Sequence, residues 1–225
     1  MRRPFQIVRL LIFSSILFSP ILACSQTEAQ APAVLTFTVD FPASQPEHYS
    51  IRVQSDRSAR YQSSGRLSAD SDDADSFDLD FTLAPETRQK IFELAAKADY
   101  FQKDVDSHHK HIAFTGKKTL GYKDAQRSGE STYNYSPIPA VQELTSLMQG
   151  LSVTLEFGHR LEYDHHYQKL ALDEELKRME EQARTNQLAD IMAIQSILDQ
   201  IVADPSVINV TRARAQRLLE RTGVH

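Results

Sequence analysis

The 225 residues contain one cysteine, Cys24, and no tryptophan. A lone thiol cannot close an intrachain disulfide, so the folded chain must be held by its core. Glycine is scarce, at seven, and no repeat of 20–50 residues is present. No Gly-x-Ser-x-Gly, His-Glu-x-x-His or Cys-x-x-Cys occurs. The usual sequence signs of a serine hydrolase, a zincin or a thiol redox pair are therefore missing. Basic residues are outnumbered 25 to 30, a net charge of −5, which suits nucleic acid poorly. Beyond the amino end there is no long apolar run, so no second membrane-crossing segment is expected. Hydrophobic residues are 41%, enough for about 200 residues to bury a core.

What is present begins with an address. Arg2, Arg3 and Arg9 form a basic start with no acidic residue before Cys24. Leu10 to Phe18 follow as an apolar run broken only by Ser14 and Ser15. A spanning helix needs about 20 apolar residues, so this run fits a secretory leader instead. Ile21-Leu22-Ala23-Cys24 resembles the lipobox of bacterial lipoproteins, in which the cysteine becomes the acylated first residue. Ala23 fits that pattern and Leu22 departs from it, because a small residue is usual there. The rival is ordinary cleavage after Ala29. The expected organisation is a signal peptide over 1–23, a tether over 24–33, an α+β domain over 34–151 and a helical C-terminal extension over 152–225. Without its three leader arginines the mature chain sets 22 basic against 30 acidic residues, a charge of −8.

From Leu35 the hydrophobic period is two. Leu35, Phe37 and Val39 predict a strand, and Tyr49, Ile51 and Val53 with Ala59 to Gln62 predict a hairpin with one wet face. "FDLDFTL" alternates again at Phe77, Leu79 and Phe81. Pro85 suits the first position of a helix whose stripe is Ile91, Phe92, Leu94, Ala95 and Ala98. "IAFTGKKTLGYKD" reads as strand, turn, strand, and "STYNYS" as an edge segment. From Pro139 the period is helical. Leu144 to Ala183 reads as one long helix, bent near Gly150 or Gly158. Leu188 to Val202 and Val207 to Arg221 predict two more helices.

The order "HYSIRV…ARYQSSG", "FDLDFTLAPETRQKIFELAAKADYF", "IAFTGKKTLGYKD", "AVQELTSLMQGL" resembles a group of uncharacterised exported bacterial domains, over about residues 48–151. The resemblance implies a hairpin, a strand, a helix ending in an aromatic pair, two strands and a helix. It departs at the first turn, where those domains carry Asp-Gly and this chain has Asp56-Arg57. The whole chain is also similar to hypothetical exported proteins that share the helical tail. Neither group implies an activity or a functional residue.

Several clusters carry chemistry on paper. "ADSDDAD" gathers Asp70, Asp72, Asp73 and Asp75, hard oxygens of the kind calcium takes, but the EF-hand spacing fails. "SHHKH" supplies His108, His109 and His111 without a matching ligand spacing nearby. "TGKKT" lacks the upstream glycine of a phosphate loop and reads as a turn. In "GHRLEYDHHYQ", His159, Glu162 and His166 fall within about 60° on one helix face, the ligand types of a zinc site. His165 points with the leucine stripe instead and reads as a packed histidine. Arg214, Arg217 and Arg221 share a face of the last helix; an acidic partner or a phosphate could meet them, and the simpler reading pairs them with the acidic helix 173–181 or leaves them solvated.

The sequence thus predicts an α+β fold: an antiparallel sheet with one or two packed helices, then an all-α C-terminal tail with a long helix. The function expected is an exported cell-envelope protein, a non-catalytic binding or scaffold module tied to the membrane through Cys24, with no nucleic-acid partner. If the leucine stripe from Leu144 to Ala183 is uncovered, a protein partner or self-association through the tail is expected. The alternative is a metal-dependent hydrolase or metal carrier using His159, Glu162 and His166. No cofactor is required by the first reading; zinc belongs to the second, and calcium to the acidic loop at Asp70, Asp72, Asp73 and Asp75. A third idea places a glycan on the wet sheet face, using Tyr49, Tyr61, Tyr122, Tyr133 and Tyr135.

Overall fold

Six antiparallel strands form one sheet in the order β4-β3-β2-β1-β5-β6. They are β1 (Val34–Asp40), β2 (His48–Gln54), β3 (Ser58–Arg66), β4 (Ala74–Thr82), β5 (Lys117–Lys123) and β6 (Ser128–Tyr133). The computed structural model describes residues 32–42, 44–66 and 74–222. The expected leader, Cys24 and the side chains of the acidic loop Asp70–Asp75 lie outside the described residues.

Alternation decides which side of the sheet is buried. Register places Leu35 opposite Val53 and Tyr122, and Phe37 opposite Ile51 and Leu120. All six of those side chains are buried, while Thr36, Thr38, Ser50 and Arg52 on the other face are not. One face therefore stays wet, as period-two patterning requires. Tyr49, Tyr61, Tyr122 and Tyr133 lie on the core side at 7% exposure or less, which overturns the glycan platform on the wet face. Their in-strand partners had already set their parity; a one-residue slip would have been needed to turn them outward.

Five helices cover the other face and one another: α1 (Pro85–Lys97), α2 (Pro139–Tyr167), α3 (Leu172–Arg184), α4 (Gln195–Ala203) and α5 (Asn209–Thr222). α2, with 29 residues about 43 Å long, is the spine. Tyr133 and Tyr61 on the sheet bond to Thr145 and Ser152 of α2 at 2.5 and 3.0 Å. α3 and α4 pack against α2, and α5 lies over both of them. The described residues belong to a single compact unit, 31–225, so the expected division at 151/152 falls inside a continuous buried helix. Each fully buried Leu or Ile of this core contributes about 1.5–3 kcal/mol.

Three local expectations change. The long helix runs unbroken through Gly150 and Gly158. It ends at Tyr167, and α3 restarts at Leu172. The two glycines instead admit neighbours: a Cβ at Gly158 would lie 2.5 Å from Cγ2 of Ile194. Leu188 to Val202 is not one helix, because a 3-10 turn over Ile191–Ile194 precedes α4 and Asp190 before it has φ 49°. Asp190 serves another element. Its Oδ2 accepts the Ala84 N–H at 2.9 Å, capping α1, whose own N-terminus has Pro85 but no side-chain cap.

The third change is at "TGKKT". Residues 112–116 are loop, β5 begins at Lys117, and the hairpin turns at Asp124–Arg127. Gly116 has φ +94°, a left-handed conformation that L side chains rarely adopt. Lys118 then points to the buried side, in phase with Leu120 and Tyr122, at 4% exposure. Its ammonium bonds Thr115 O and Oγ1, Gly116 O and Asn134 O within 3.0–3.2 Å. Burial pushes its pKa down. Period two did hold here, with a lysine standing in a core position, and that lysine made the start of β5 read as a turn.

Candidate functional site

The C-terminal third of α2 leaves the core along one side. Phe157, Gly158 and Leu161 stay buried, while Glu156, His159, Arg160, Tyr163 and Asp164 face a cleft of about 450 Å3. The i,i+4 spacing of Glu156–Arg160–Asp164 and of His159–Tyr163 stacks these side chains one turn above another. Ser63 and Gly65 of β3 form one wall, and Glu175 and Arg178 of α3 form another. The α2–α3 break at Gln168–Ala171 is what swings α3 back beside α2.

Glu156, Arg160, Glu175 and Arg178 are each held by a partner. Glu156 Oε1 accepts the Tyr61 hydroxyl at 2.7 Å and the Ser63 hydroxyl at 2.8 Å. Burial first, and the Glu156 charge second, push the Tyr61 phenol well above its ordinary range, so it stays a donor. Glu175 is 2% exposed, and its two oxygens take Arg160 Nε and an Arg178 terminal nitrogen, each at 2.5 Å. Arg160 also lies over the Phe157 ring, 4.6 Å from its centre. A buried carboxylate thus orients two guanidiniums that themselves remain 46% and 60% exposed. Asp164 has its pKa raised, by burial first and then by the Glu175 charge.

No known protein-family model matches the chain, and no curated protein matches it significantly. The cleft must be read from its own chemistry.

Of the predicted zinc ligands, only His159 lines the cleft, and its ring stacks on Phe77 with centres 4.1 Å apart. Glu162 and His166 are exposed, and His166 packs edge-on to Tyr167. Among the described residues, no group of three His, Cys, Asp or Glu side chains is arranged to hold a metal ion. His108 is exposed and pairs with Asp104 at 2.7 Å; His109 and His111 are also exposed. His165 is half-buried and meets Asp204 at 2.9 Å, in a corner shared with Lys169. Lys169, Ser206 and His165 together hold Asp204 well below the ordinary carboxylate range. Arg214 bonds Asp173 and Glu180, and Arg217 bonds Glu180, so two of the three arginines pair with the acidic helix as read. Arg221 is exposed.

Glu156, Arg160, Asp164, Glu175 and Arg178 were missed. The signal lay in "LEFGHRLEYD", where acid and base alternate every four residues along the flank of an apolar stripe. The helix was singled out and the face was not. Nothing in the sequence says that Glu175 comes back beside Arg160.

Proposed function

We propose that this protein is an exported binding module of the cell envelope, anchored through an acylated Cys24, that holds a small polar ligand in the cleft between α2, α3 and β3. The observation that carries the reading is preorganisation. Tyr61 and Ser63 fix Glu156, and buried Glu175 fixes Arg160 and Arg178, before any ligand arrives. Such a site gives up little side-chain entropy on binding. The basic leader and the Cys24 context support the address. No helix among the described residues is long and apolar enough to cross a membrane; the anchor proposed is a lipid on Cys24.

Self-association was expected only if the leucine stripe were uncovered. Leu144, Leu151, Leu155, Leu172, Leu176 and Met179 are each at 0% exposure within the chain, so that condition is not met. The metal reading has no assembled ligand set among the described residues to support it.

Two measurements test the proposal. Intact-mass analysis of the protein recovered from membranes should show acylated Cys24 at the amino end, and Cys24→Ser should release it. Backbone-amide NMR of the mature protein against a chemically mixed fragment library should move the signals of Arg160, Tyr163 and Ser63. Hits that never touch this cleft would refute the site.

A further inference from the structure

The cleft has a composition that narrows its ligand further, given that it is the binding site proposed above. We propose that it takes a neutral, polyhydroxylated ligand: a saccharide whose ring lies on Tyr163 while its hydroxyls bridge Glu156 and the Arg160–Arg178 pair.

Charge excludes the simpler choices. Among the described residues the cleft sets three carboxylates, Glu156, Asp164 and Glu175, against two guanidiniums, Arg160 and Arg178, with the His159 imidazole beside them. Glu175 sits between both arginines, accepting a hydrogen bond from Arg160 and forming an ion pair with Arg178. An anion approaching the arginines would meet the field of Glu175 and Asp164. A cation approaching Glu156 would share the cleft with two guanidiniums. Opposite charges interleaved at this density largely offset one another, a weak guide for a charged ligand, but they leave many directional bonds.

Those bonds are open. A guanidinium has five N–H donors, so about four remain on each arginine after Glu175 is served. Neither arginine has another hydrogen-bonded acceptor among the described residues. Both hydroxyls that reach Glu156 land on Oε1, and Oε2 has no donor among the described residues. A sugar hydroxyl donates and accepts at once. It can give its proton to Glu156 Oε2 and take one from Arg160, and both bonds are charge-assisted. A ligand without paired donor and acceptor groups would leave one side of this arrangement unmade.

The remaining requirement is an apolar surface for the C–H face of a ring. Tyr163 lines the cleft and is 49% exposed, and Tyr167, 68% exposed, packs against it at 5.1 Å. Two exposed rings one turn apart, beside a charged cleft, form a ledge rather than a core contact. Tyr135, also exposed at 42%, lies outside this cleft and serves as the control.

The experiment is a glycan array of neutral, uronate-bearing, sulfated and amino oligosaccharides, followed by calorimetric titration of each hit with the mature protein. Expected are neutral hits, weakened roughly tenfold or more by Tyr163→Ala and by Glu156→Gln, and unmoved by Tyr135→Ala. Thermal melts of each variant separate lost binding from lost folding. Hits confined to charged glycans overturn the inference, as do neutral hits indifferent to Tyr163→Ala, or no hits. If the array is silent while non-sugar fragments still shift the cleft amides, the ligand class fails and the binding module stands. Silence in both removes both.

Discussion

The two ends of α2 obey different rules. From Val141 to Leu155, Val141, Leu144, Met148, Leu151 and Leu155 are all at 0% exposure, and the buried hydroxyls of Thr145 and Thr154 bond back to Val141 O and Gly150 O. In the second half one side still packs, through Phe157 and Leu161, while the other carries Glu156, Arg160, Tyr163 and Asp164 into the cleft. One helix is therefore both beam and bracket. Both halves keep an exposed face, with Gln142, Glu143 and Ser146 exposed in the first, and stability belongs to the end whose apolar face is fully covered. Recognition belongs to the end whose free face is walled by β3 and α3, because there the side chains released from packing converge on one cleft.

Substitutions can break that contrast. The largest effect is expected from Leu151→Ala, which should cost about 2–5 kcal/mol in denaturant melts. A loss below about 1 kcal/mol would mean that the first half is not the beam. Next is Glu175→Gln. It removes the charge that both arginines bond, and about 1–3 kcal/mol should go with it, since the arginines stay partly solvated when released. Ligand affinity should fall in the same variant. A fall in stability alone would make Glu175 a structural pair.

Gly158→Ala probes the join between the halves. The added methyl would press on Ile194 at 2.5 Å, costing about 1–3 kcal/mol, while helix propensity returns up to about 1. A net gain in melting temperature would show that Ile194 yields. Smaller again is the effect of pH through Asp190. Burial raises its pKa, so the native state binds a proton more readily than the unfolded chain. Its contribution is then fully present at low pH and is lost as pH rises above the ordinary carboxylate range. Asp190→Asn should raise stability at pH 7 relative to pH 4, and Asp190→Ala should lose the α1 cap at every pH. Last, Tyr163→Ala should change stability by no more than about 0.5 kcal/mol while weakening the ligand. A large loss of stability there would erase the line between the two ends.

Much of the fold was legible because burial is periodic. Leu35, Phe37 and Val39, then Tyr49, Ile51 and Val53, announce strands with one dry side, and the sheet uses that side. Ile91, Leu94 and Ala95 announce α1 in the same way. Legibility failed where an individual residue broke type. Lys118 fills a core position with an ammonium, and its oxygen cage is made of backbone that only the fold assembles. The α2–α3 break escaped because Gln168 to Ala171 contains neither proline nor glycine.

The amino-acid order alone determined the class of the fold, the parity of its strands and the helix that carries the candidate site, since each follows from local spacing of apolar groups. Only tertiary structure decided which face of that helix is chemical. Glu175 meets Arg160 across 15 residues and Glu156 meets Tyr61 across 95, and such meetings depend on where the chain turns back. Local patterning records what a side chain must avoid, which is water or its absence. It does not record which distant side chain will stand opposite.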